Sequence, residues 1–221
     1  MIDIETYKYF LGIETFPQYS LEYFEQNLAQ NYVSVAQAIY DRQSGEHMLR
    51  LLSGYEIPLF ILYHELTHIY DMEVHKSGET YHDYCLTGYM EYHASQIELM
   101  VLMGAVKCDE IISFSMSDSI SFMNCTVQQY LEQKLITVCD LICDKERNNR
   151  EKAVGVFFNF LGLKSICSMY ATDFCDSFDY FEVSERLPSL LLIKIWKDMQ
   201  GWIKDVENSV VLYSNVRNYI V

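Results

Sequence analysis

The chain has 221 residues, 50% of them apolar and 21% charged. That balance excludes a disordered tail or a fibre and suits one domain, or a core with an appended subdomain. Three Pro and nine Gly are too few for an all-β sandwich full of tight turns and favour a helix-rich chain. The formal net charge of −15 repels phosphate backbones and disfavours direct nucleic-acid binding. Residues 1–106 carry most of it, with 15 acids against 4 bases, while residues 107–221 carry 16 against 12. Such a first half attracts a basic partner or simply keeps the protein soluble, and solubility is the simpler reading.

In chain order, the opening MIDIETYKYF has acids where a secretory signal carries Lys or Arg. Residues 5–30 alternate aromatics with Glu and Gln, and a helix is expected around 21–30. Residues 31–41 and 46–52 read as two strands joined by Arg42-Gln43-Ser44-Gly45, with Val33, Val35, Ile39, Tyr32 and Tyr40 suited to a pleated surface. A helical reading of the first of these stretches stays open. Ser53-Gly54 breaks the chain, and Pro58 then suits a first helical position, where its missing N–H costs nothing. A helix is expected over 58–74, then a KSGET loop over 76–80, then a second helix from Tyr84 or Leu86 to Met103, stopped by Gly104.

Beyond it, apolar side chains at helical spacing predict helices near 125–143, 146–161 and 187–206. The charged run DKERNNREK at 144–152 reads as a solvated helix junction. The apolar stretch 187–203 is interrupted by Lys194, Lys197 and Asp198, so no membrane span is expected there. Seven scattered Cys without a C-x-x-C pair are expected to be reduced, mostly buried thiols of a cytoplasmic protein. Cys139 and Cys143 lie one helical turn apart but lack the second pair a zinc ribbon needs.

The chemistry-bearing stretch is Tyr63-His64-Glu65-Leu66-Thr67-His68, a His-Glu-x-x-His pattern inside the expected helix. Positions four apart share a helix face, so His64 and His68 can offer imidazole nitrogens to one metal ion. Zn²⁺ suits such a pair because it accepts neutral imidazole and tolerates three protein ligands plus water. Glu65 lies about 100° round the helix, where a carboxylate can reach the metal's water without ligating. With 6 His in the chain, chance alone gives the pattern about once in a hundred such sequences.

A His six residues after the motif is absent, because Val74 occupies that position and His75 is one place off. A third ligand from the second helix is therefore expected. Glu91 is favoured, Glu98 shares its face at i+7, and His93 is a weaker candidate about 200° away. Glu98 or Ser95 would then support a ligand imidazole, as would Asp71, which continues the His64–His68 stripe. Tyr81, His82 and Tyr84 are candidate donors for a developing oxyanion.

These residues resemble the gluzincin metallopeptidases, whose thermolysin-like members carry the pentapeptide HELTH, and more closely the ImmA/IrrE-like family of small bacterial and mobile-element proteases. That family pairs a short sheet with the HExxH helix and a helix beginning E-x-x-A-N-x-F-A. Here Glu91-Tyr92-His93-Ala94-Ser95-Gln96-Ile97-Glu98 keeps the Glu and first Ala and departs at Ser95, Ile97 and Glu98. The resemblance spans residues 31–104. It implies an α+β, predominantly helical fold: a small antiparallel sheet or hairpin on the HExxH helix and a second ligand helix, in a catalytic core over 1–106. A helical part over 107–221 would pack with that core as one unit. It also implies a Zn²⁺ cofactor held by His64, His68 and Glu91, Glu65 as catalytic base, and an intracellular protein or peptide substrate. Two other functions fit the composition: an acidic interaction or inhibitor protein with a vestigial or structural metal site, and a hydrolase of something other than a peptide.

Overall fold

In the computed structural model, residues 3–25, 35–120 and 122–221 are described. Helix α1 (Ile4–Leu11) is capped by Asp3, whose side chain accepts from Thr6 N, and it buries Tyr7 and Phe10. Strands β1 (Tyr19–Phe24), β2 (Ala36–Asp41) and β3 (Glu46–Leu52) form a sheet in the order β1-β3-β2. The expected hairpin is β2–β3, antiparallel with Ala38 opposite Leu49. Its turn is held by Asp41, which accepts from Gln43 N at 2.8 Å and Ser44 Oγ at 3.0 Å, and by Gly45 at φ +74. Residues 31–34 of the expected first strand lie outside the described residues.

The expected helix over 21–30 is corrected. Residues 19–24 pair in parallel with β3, Glu22 beside Arg50, and the rest of that stretch, apart from Glu25, lies outside the described residues. Leu21 and Tyr23 are exposed, so burial does not hold β1 in place. Its backbone satisfies the open edge of β3, a long-range partner that overrides local propensity.

Helix α2 (Leu59–His75) follows, with Pro58 as its N-cap, one place before the expected position. The 76–80 loop leads into a short helix α3 (Thr80–Cys85), and then α4 (Thr87–Leu102) ends at Gly104, φ +82. A two-stranded ribbon, β4 (Ser119–Ile120) with β5 (Cys125–Thr126), precedes α5 (Val127–Cys143), which opens on a Thr126–Gln129 capping box. The charged run then forms the α5–α6 junction as expected, with Asp144 as C-cap and Glu146 as N-cap.

Helix α6 (Arg147–Tyr170) runs nine residues past its expected end. Gly162, one residue beyond the expected end, is the crossing point with α4: a Cβ there would lie 2.2 Å from the Tyr92 carbonyl oxygen. Only glycine permits that approach. By length and composition α6 is long and apolar enough to cross a membrane, yet 67% of its most apolar window is buried within this fold.

After α7 (Phe181–Arg186), the single helix expected over 187–206 is two. Helix α8 (Ser189–Asp198) ends before Gly201, φ +61, and α9 (Val206–Ile220) begins afresh. The break is fastened to the core, because the Gly201 carbonyl accepts from Tyr92 Oη at 2.7 Å and Gln96 Nε2 at 2.8 Å. Helices make up 57% of the described residues, so the fold is α+β and predominantly helical. One hydrophobic cluster joins Tyr7, Leu66, Tyr92, Phe157 and Ile220. All seven cysteines are free thiols, but only Cys85 and Cys167 are buried, fewer than expected.

Gly162→Ala should destabilise the fold by about 1–3 kcal/mol in chemical denaturation, because the new methyl meets backbone rather than a yielding side chain. Gly155→Ala, on the same helix, meets only ordinary contacts at 3.8 Å. It should be neutral, or stabilising by about 1 kcal/mol through helix propensity.

Candidate metal centre

Helical spacing brings His64 and His68 onto one face of α2, and their Nε2 atoms lie 3.1 Å apart. Two imidazole nitrogens at that distance cannot both carry a proton; a proton or a cation must lie between them. Glu91, in the second turn of α4, reaches the same point. Its Oε2 is 3.8 Å from His64 Nε2 and its Oε1 is 3.8 Å from His68 Nε2. All three donor atoms fall within 4.8 Å of one another. A zinc ion with bonds of about 2.0–2.1 Å needs tetrahedral donors roughly 3.3 Å apart, so the Glu91 carboxylate must draw closer to the imidazoles to close the site.

The surroundings favour positive charge. Burial pulls the His64 pKa down, but the contact with Glu98 and the charges of Glu98, Glu65 and Glu91 outweigh it and raise it to about 9. Burial pushes Glu98 up, while Lys134, His64 and the Tyr130 hydroxyl bring it down to about 2. Glu98 Oε2 lies 2.9 Å from His64 Nδ1, close but not along the ring N–H direction, and Tyr130 Oη donates to its other oxygen. His68 Nδ1 is buried with no hydrogen-bond partner, so packing and whatever faces Nε2 orient that ring. Two facing Nε2 atoms, a convergent carboxylate and a field that stabilises cations fit a divalent metal with two imidazoles and one carboxylate. The site is also open enough for exchange, with Glu91 26% exposed and each imidazole 12%.

Glu65 stands beside this group, next to the sheet. Its Oε2 accepts from Ala38 N of β2 at 2.7 Å. As the outer strand of the sheet, β2 turns that N–H toward α2 instead of β3. One carboxylate oxygen is thereby fixed in place.

Several expected roles are corrected. Ser95 Oγ donates to the Glu91 carbonyl one turn back and supports no imidazole. Asp71, fully buried, accepts from His93 Nδ1 at 2.9 and 3.0 Å, so it orients neither His64 nor His68. His93 is thereby excluded from the donor group; its ring packs on Tyr89 and Trp202. The three candidate oxyanion donors turn toward α9. Tyr81 Oη meets Ser214 Oγ at 2.8 Å, His82 Nε2 meets Glu207 at 3.1 Å, and Tyr84 Oη accepts from Arg217 Nε at 3.2 Å.

Four parts of the site were not anticipated. Tyr130 and Lys134 of α5 set the state of Glu98, Ala38 anchors Glu65, and Gly155 of α6 lies under Glu91, with room left for the carboxylate. Of these only Gly155 left a trace in the sequence, as a glycine inside a helical pattern. Cavities of about 440 and 480 Å³ lie elsewhere, beside His47 and between α5 and α7. Donor convergence marks this centre.

Compared with known proteins, the chain matches no family model, no curated protein and no solved structure.

Equilibrium dialysis of the purified protein should find one zinc per chain. His64→Ala and His68→Ala should each abolish it, and Glu98→Gln should weaken it about 10–100-fold at unchanged stoichiometry. His93→Gln should leave the stoichiometry intact.

Proposed function

We propose that the chain is a zinc-dependent metallopeptidase of the gluzincin type, acting on a protein or peptide substrate inside the cell. The observation that carries this reading is the convergence of His64, His68 and Glu91 beside a carboxylate, Glu65, that is not among the donors. Its likeness at these four positions to the ImmA/IrrE-like pattern supports the same reading, and free thiols suit a reducing compartment.

Held by the two imidazoles and Glu91, zinc would supply a water with a pKa of about 7 and a Lewis acid for the scissile carbonyl. The chain's own residues do the rest. Glu65 receives the proton of the attacking water and passes it to the leaving amine, a transfer worth typically about 10²–10⁴ in rate. The Ala38 N–H keeps that carboxylate beside the reacting centre, so little orientation is lost at each turnover. Glu98 Oε2, 2.9 Å from His64 Nδ1, places negative charge behind that ring and raises its basicity on the Nε2 side. Tyr130 and Lys134 keep Glu98 ionised.

The rival reading, an acidic binding protein with a structural metal, leaves Glu65 only its bond to Ala38 N, and a structural zinc is closed by four ligands where three donors converge here.

Incubated with a mixture of internally quenched peptides, the zinc-loaded protein should release fluorescence, stop on chelation and recover on adding zinc. Glu65→Gln should retain its zinc yet lose at least about 10²-fold in rate. Full hydrolysis by that variant would remove Glu65 from its role, and zinc uptake with no cleavage by the parent protein would favour the binding protein.

A further inference from the structure

The helices α5 and α7 enclose a groove of about 480 Å³ far along the chain from the HExxH motif. Its floor is apolar, built on Leu135, Cys139 and Phe178, and two large apolar side chains stand at its edge: Ile136 at 58% exposure and Phe181 at 60%. Four carboxylates line it, those of Glu132, Asp140, Asp179 and Glu182, with no Lys or Arg among the lining residues. Apolar side chains left in water beside a rim of one charge mark a surface built for a partner.

Charge selects the occupant. An anionic membrane surface or a nucleic acid would be repelled by four carboxylates. A second copy seated symmetrically would set these acids against their own equivalents, since a two-fold interface buries the same patch on both subunits. The secondary structure selects its form. One wall is helix α5 and the other is the irregular segment 177–179 leading into the first turn of α7. No sheet strand borders the groove for an extended peptide to join, so recognition runs through side chains in the groove.

We propose that the α5–α7 groove docks a basic amphipathic helix of a partner protein, its apolar stripe between Ile136 and Phe181 and its Lys or Arg side chains on the four carboxylates. The groove holds this role whether or not the metal centre is hydrolytic. Helix α5 also carries Tyr130 and Lys134, which act on Glu98, so a docked partner lies against the helix that supports the metal centre.

The test is fluorescence anisotropy with a labelled helical peptide of about 14 residues, made of Leu and Lys with Leu at i, i+3, i+4 and i+7 spacing. Saturable binding that weakens with salt is expected, with about tenfold loss in Ile136→Asp, in Phe181→Ser and in the Asp140→Lys/Glu182→Lys double variant. Folding of each variant is checked by circular dichroism and thermal melting. A Glu5→Lys/Glu14→Lys double variant, which alters the net charge equally but lies on α1 and the segment after it, should bind within about twofold of the parent. Absence of saturable binding overturns the proposal. So does equal loss in the control variant, which would mean unspecific attraction to an acidic protein, or equal binding of a Leu/Glu peptide. Sedimentation showing a dimer that Phe181→Ser dissolves would also overturn it, by making the occupant a second copy.

Discussion

The depth at which α4 lies against α6 governs the geometry of the metal centre. Helix α4 carries Glu91 and Glu98, and it can face α2 correctly only if its other side sinks far enough into the body of the protein. Gly162 permits this by offering no Cβ where the Tyr92 carbonyl passes. Gln96, on the next turn, donates to Ser165 Oγ at 2.8 Å as well as to the Gly201 carbonyl. A helix buried this completely shows no clean polar face; from Ala94 to Met100 every residue is buried, including Ser95, Gln96 and Glu98. Such polar residues are tolerated only when each finds a partner: Ser95 turns back to the Glu91 carbonyl of α4, while Gln96 and Glu98 find theirs on α2, α5, α6 and the α8–α9 connection.

The same constraint creates the electrostatic character of the site. Ionised carboxylates are costly in a low-dielectric interior unless paired, yet Glu65, Glu91 and Glu98 all bear on His64. In the metal-free state a proton on His64 answers part of that charge. A divalent ion at the three donors would answer more of it, and the energy that makes the acids costly would become affinity for the cation.

Much of this was legible in the sequence where the signal is local. The HExxH helix, its partner helix ending at Gly104, the β2–β3 hairpin and the helix junction at 144–152 all follow from period, caps and breakers. The group of possible donors contains Glu91, while Glu98 lies against the Nδ1 side of His64. What failed was set at long range. Strand β1 exists because β3 has an open edge; Gly162 and Gly201 differ in consequence although both are single glycines in helical patterns, since only the first meets a passing backbone. Asp71 lies on the right stripe for His68 but is claimed by His93, a competition between two helices that spacing along one cannot reveal. The Tyr81, His82 and Tyr84 side chains are turned away by α9, an element not separated from α8 in the sequence pattern.

The Tyr84 ring joins distant parts of the chain: the Arg217 guanidinium lies 5.2 Å from its centroid and that of Arg42, from the hairpin turn, 6.0 Å. Arg217 also donates to Glu151 of α6 at 3.0 Å. During synthesis the hairpin and both ligand helices leave the ribosome more than a hundred residues before Arg217 does. Until then Tyr92 and Gln96 lack the Gly201 acceptor and Tyr84 lacks one of its two cations. The packing around the two candidate ligand helices is thus completed only by segments that follow residue 200.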